Sequence, residues 1–88
     1  MSSNVLELNA FLEENGQRKS LHIVVSAPSQ AEGEDDYFCR VHAPLLFSQD
    51  KNIYGLDPEQ AKSLAITFIR SLLKDKRVID ANGRPLRW

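Results

Sequence analysis

Gly55-Leu56-Asp57-Pro58-Glu59-Gln60-Ala61-Lys62-Ser63-Leu64-Ala65-Ile66-Thr67-Phe68-Ile69-Arg70-Ser71-Leu72-Leu73 is the stretch whose reading decides the fold. Asp57 sits where an N-cap belongs, because its carboxylate can accept from backbone N–H groups that have no partner inside the helix. Pro58 follows at the first helical position, where a missing N–H costs nothing. Gln60 stands three residues after the cap, at capping-box spacing. Ala61, Leu64, Ala65, Phe68, Ile69 and Leu72 then recur at helical spacing and predict one apolar stripe. Ser63, Thr67, Arg70, Ser71 and Lys74 make the opposite face. The spacing predicts a helix from Pro58 to about Lys76, some 28 Å long at 1.5 Å per residue.

Upstream of this helix the period changes to two. Leu6, Leu8, Ala10 and Leu12 alternate with Glu7, Asn9, Phe11 and Glu13, which predicts a half-buried strand. Asn15-Gly16 follows; Asn-Gly is the favoured pair for a type I′ hairpin turn, whose central residues both need positive φ. Leu21, Ile23, Val25 and Ala27 alternate next, up to Pro28. Ser29 to Asp36 is polar, with Glu32, Glu34, Asp35 and Asp36, and reads as an exposed acidic loop. Tyr37, Cys39, Val41 and Ala43 alternate up to Pro44 and predict a third strand. A turn centred near residue 32 would set Leu21 opposite Ala43, Ile23 opposite Val41, Val25 opposite Cys39 and His22 opposite His42. All the core candidates then share one face. Eight-residue strands span about 27 Å, so one helix can cover one sheet face. After the helix, Asn82-Gly83 signals another turn, and Leu86 and Trp88 read as part of a short extended tail.

The expected fold is therefore α+β: a three-stranded antiparallel meander with one long helix packed on one face and a short extended tail. Eighty-eight residues allow one domain, residues 1–88. Hydrophobic residues at 42% and charged residues at 26% fit an ordered globular body rather than a disordered chain. Cys39 is the one cysteine, which excludes an intrachain disulfide and a multi-cysteine zinc site. The apolar runs are far shorter than the roughly 20 residues a membrane helix needs. The first residues, Met1-Ser2-Ser3-Asn4, do not have the basic start of a signal peptide. A cytoplasmic setting without membrane association is the expectation.

The order of elements resembles a small bacterial family of α+β domains that has no assigned activity. The matching residues are Tyr37 and Cys39 in the third strand. They continue with Gly55, Asp57, Gln60, Ala61, Leu64 and Ala65 at the helix start, then Gly83, Leu86 and Trp88 at the end. The resemblance runs from about Leu6 to Trp88 and departs from the family pattern at Pro58 and around Val78-Ile79. It implies the fold and carries no catalytic residue with it.

The chemistry-bearing residues converge poorly. Cys39 and His42 are three apart, and on a strand an odd offset sends them to opposite faces. Cys39 reads as a small buried hydrophobe. His22 and His42 share the outer face, where a histidine pair suits a transition metal or a pH switch. With two ligands and no converging carboxylate in view, they read as half-exposed cross-strand histidines. No catalytic, cofactor or metal site is assigned, and the expectation is a protein that is not an enzyme.

Two surfaces remain. Phe11, Val24 and Phe38 point away from the helix, and apolar groups together on a sheet mark a protein partner or homodimer interface. That face is open unless the tail or the Ser48–Tyr54 segment folds over it. The second surface comes from charge. Residues 1–50 carry three basic against eight acidic side chains, net −5, whereas residues 51–88 carry eight against four, net +4. Arg70, Lys74, Lys76, Arg77, Arg84 and Arg87, with Trp88 to stack on bases, make the alternative: weak nucleic-acid binding at the C-terminal end.

Overall fold

The computed structural model describes residues 4–30, 33 and 36–86. Strand β1 runs Asn4–Glu14 and β2 Gln17–Ser26. Between them Asn15 and Gly16 have φ of 52° and 75°, the two positive values a type I′ turn requires. Glu14 pairs with Gln17, Leu12 with Lys19, Ala10 with Leu21 and Leu8 with Ile23, so the even-numbered β1 residues meet odd-numbered β2 partners. A bulge between Asn4 and Leu6 ends the regular ladder.

The sheet is larger than the sequence predicts. It has six strands, not three, and every pairing among the described residues is antiparallel. The added strands are β3 (Ser29–Gln30), β5 (Lys51–Gly55) and β6 (Arg77–Ile79), around the expected β4 (Tyr37–His42). β6 pairs with β1, β1 with β2, and β4 pairs with β2, β3 and β5. Ser29–Gln30 was expected in a loop. It pairs with Phe38 and Tyr37, along the same edge of β4 that β2 occupies through Val24 and Val25. Pro28 has no N–H to give to the ladder between these two pairings. Beside this break the Arg40 amide donates to the Ser26 hydroxyl at 2.8 Å, so that N–H takes a side-chain acceptor where the ladder is interrupted.

The β2–β4 register also differs. Val25 faces Val41 and Val24 faces His42, two residues from the expected alignment. A shift of two preserves parity, so every side chain keeps its face. The core accordingly contains Ala10, Leu12, Leu21, Ile23, Val25, Cys39, Val41 and Ala43 from the sheet. Most of the Ser48–Tyr54 segment, expected as a possible cover, instead extends the sheet as part of β5, Lys51–Gly55; Leu46 and Phe47, just before it, pack against the core. The Phe47 and Phe68 rings lie 6.3 Å apart.

Helix α1 spans Pro58–Leu73, shorter than expected and about 24 Å long. Its buried row is Ala61, Ala65, Ile69 and Leu73, an i+4 series. Phe68 and Leu72 pack at its margin, but Leu64, expected in the stripe, is 42% exposed. Within the segment expected as a short extended tail, Arg77–Ile79 form strand β6 and an Ile79–Pro85 bridge follows. Asp80 organises the turn between them, its Oδ1 accepting from the amides of Asn82 and Arg84. Arg87 and Trp88 lie outside the described residues, as do Glu32, Glu34 and Asp35 of the acidic loop.

The joint between β5 and α1 sets where the helix lies. Gln60 N donates to Asp57 Oδ1 at 2.7 Å, as the cap predicts. Gln60 Oε1 reaches one residue further back than a capping box requires and accepts from the Leu56 amide at 2.6 Å. Gly55 is buried directly beneath: a Cβ there would lie 2.4 Å from Ala61 N and 2.8 Å from its Cα. Those are backbone atoms, so the helix itself would have to move. Gly55→Ala is expected to destabilise the fold by about 2 kcal/mol, the range for overpacking, and Asp57→Ala by about 1 kcal/mol. Urea unfolding measures both, and a Gly55→Ala midpoint equal to wild type would contradict the close approach.

Candidate functional site

Because α1, Leu46 and Phe47 cover one side of the sheet, the other side presents the odd-numbered residues of β1 from Glu7 onward and the even-numbered residues of β2, β4 and β5. Phe11, Val24 and Phe38 all lie on this outer face and all are half-buried. They are not one continuous patch. Phe11 pairs with Ser20 and Val24 pairs with Glu7, which places them four residues apart along the strands, about 13 Å. Phe38 and Val24 are likewise separated, since Val24 sits opposite His42. Polar His22 and Arg40 occupy the intervening positions.

Phe38 gains a neighbour that the sequence pattern did not reveal. Tyr54 pairs with it across β4 and β5, their ring centroids 5.7 Å apart. Tyr54 is 52% exposed, and the adjacent Leu56 is 74% exposed. Asp36, Tyr54, Gly55, Leu56 and Gln60 line a shallow hollow at this corner. The signal for Tyr54 is the alternation Asn52-Ile53-Tyr54, which is too short to stand out as a strand.

At the opposite end the face is partly closed. Ile79 pairs with Phe11 and is fully buried. The Arg18 guanidinium lies against Gly83, where an added Cβ would come within 2.8 Å of Nη2. The available outer face is therefore the half between Asn9 and Tyr54.

His22 and His42 fall inside that half. They are diagonal rather than directly opposite, a correction that follows from the two-residue register shift. Their ring centroids are 6.3 Å apart and nearly perpendicular. His22 Nδ1–H donates to Asn9 Oδ1 at 2.5 Å, across a direct β1–β2 pair. His42 Nδ1–H donates to Asp50 Oδ1 at 2.7 Å, from the loop before β5. Among the described residues no group of three or more His, Cys, Asp and Glu side chains is placed to hold a metal ion.

The basic C-terminal residues are distributed over several elements. Arg77 Nε lies 3.3 Å from Glu13 Oε1, and Lys76 Nζ lies 3.7 Å from Glu14 Oε1. Arg70, Lys74 and Arg84 are exposed. Glu13 and Glu14 at the end of β1 thus lie beside the basic residues that follow the helix. Among the described residues no helix is long and apolar enough to cross a membrane.

Cys39 is fully buried in the core, on the face opposite His42. Burial pushes its thiol pKa up, and the positive charge of Lys62 offsets part of that rise. The folded state therefore holds the thiol neutral. Its stabilising contribution is complete below the unfolded thiol's pKa and is lost as pH rises through the higher folded value. Cys39 in the native protein is expected to react with a thiol reagent far more slowly than in the urea-unfolded chain, and native stability should decline in alkaline solution. Equal labelling rates in the two states would contradict the burial. Compared with protein-family models, with curated proteins and with solved structures, the chain shows no significant match.

Proposed function

We propose that this chain is a non-enzymatic interaction module that docks a second copy of itself on the sheet face opposite the helix. The observation that carries this reading is the asymmetry of the sheet. One side is closed by α1, Leu46 and Phe47. The other carries half-buried Val24 and Phe38 and exposed Tyr54. Exposed apolar and aromatic groups on such a surface are the usual mark of a protein contact.

A second copy is favoured because the face is complementary to itself in charge. Exposed Glu7 on β1 and exposed Arg40 on β4 both belong to it. A two-fold contact sets each residue of one copy against its counterpart's surroundings, so one face must carry both signs to avoid self-repulsion. Phe38, flanked by Tyr54, supplies the aromatic anchor of the contact. The resemblance to a bacterial α+β family without assigned activity is compatible with this role and adds no site to it.

Sedimentation of the full chain tests the reading. Wild type is expected to be dimeric, and Phe38→Lys to be monomeric with an unchanged far-ultraviolet circular dichroism spectrum. A wild-type monomer at the highest concentration reached would overturn it. Nucleic-acid binding, the alternative, predicts salt-sensitive association with mixed single strands, weakened by Arg70→Ala and Lys74→Ala; a flat titration at low salt removes it.

A further inference from the structure

We propose that His22 and His42 form a binding site for a divalent transition metal of the zinc class, on the exposed half of the outer sheet face. The argument begins with their Nδ1 atoms. A carboxylate oxygen only accepts, so the 2.7 Å contact with Asp50 Oδ1 makes His42 Nδ1 the protonated nitrogen. The carbonyl oxygen of Asn9 does the same for His22 at 2.5 Å. In each neutral ring the lone pair then belongs to Nε2. Two imidazoles on neighbouring strands thus both engage Nδ1, which leaves Nε2 of each as the nitrogen that a metal would take. Metal-ligating histidines characteristically give the other ring N–H to a carboxylate or a carbonyl, which orients the ring and raises its basicity. Here both such partners are present, from different elements.

The spacing suits one ion. Diagonal neighbours on adjacent antiparallel strands are within reach of long side chains. With metal–nitrogen bonds near 2.0–2.1 Å, two rings on a tetrahedral ion have centroids about 5 Å apart. The observed separation is 6.3 Å, and the His42 side chain is 49% exposed, so a small rotation closes the gap without disturbing the core. Asp50 brings a negative charge close to the site, which favours a cation. Two imidazoles fill two positions and water fills the rest. Imidazole with water suits zinc or nickel better than calcium or magnesium, which prefer oxygen ligands. The site lies within one protomer and holds whether or not the face docks a second copy.

Calorimetric titration of the full chain with zinc chloride tests this, read together with histidine ¹⁵N spectra. The expected result is one ion per chain, with the Nε2 signals of both His22 and His42 shifting. His22→Ala and His42→Ala should each abolish binding. Asp50→Asn and Asn9→Ala should weaken it by about tenfold or more, as positioning partners do. Phe38→Lys, which addresses the dimer, should leave it intact. Absence of zinc binding by wild type, or undiminished binding by either alanine variant, would overturn the proposal.

Discussion

The contact on which the rest of this structure depends is the one between the backbone of Gly55 and the first turn of the helix. A side chain at residue 55 would run into the amide and Cα of Ala61. Glycine at 55 and alanine at 61 therefore let α1 begin directly against the end of β5. The cap holds that start in place from both sides, with Asp57 accepting from Gln60 N and Gln60 accepting from Leu56 N. From this fixed origin the i+4 row Ala61, Ala65, Ile69 and Leu73 runs across the sheet. Two small residues come first, beside the close approach at Gly55, and two large ones follow.

Everything said of function follows from which side that row covers. The covered side holds Leu21, Ile23, Val25, Cys39 and Val41, all at 1% exposure or less. Cys39 is thereby sealed away from both histidines. The uncovered side holds His22, His42, Phe38 and Tyr54, and its polar partners come from β1 and the loop before β5. The same alternation that builds the core assigns the aromatic corner and the histidine pair to solvent. The two proposals occupy neighbouring parts of one face but depend on different residues.

Strong local signals were legible in the sequence, and weak ones were not. Asn15-Gly16 and the Asp57-Pro58 cap each rest on a backbone requirement that few residue types satisfy, and both are found where expected. The division of side chains between two faces was legible because it depends on parity, which survives a register shift of two. The three short strands were not. β3 has two residues, β6 has three, and β5 places Lys51 on the inner side, so none shows a clear alternation. The register was misjudged because Pro28 interrupts the strand, which moves the hairpin centre. Leu64 looked like core because it is apolar at nearly the right angle, but the buried row follows Ala61, Ala65, Ile69 and Leu73 and leaves Leu64 42% exposed. For the outer face, parity identified His22, His42 and Phe38. Asn9 and Asp50 as their partners were not apparent, since one depends on the exact cross-strand pair and the other on the path of a loop.

The most direct test is the nuclear Overhauser contact between the Gly55 α-protons and the Ala61 amide. The structure predicts a strong cross-peak there, with none between the His22 or Phe38 ring protons and the methyl groups of Ala65 and Ile69. Cross-peaks from either of those rings to the helix methyls, with the Gly55–Ala61 contact missing, would place the helix on the other side of the sheet and contradict the account.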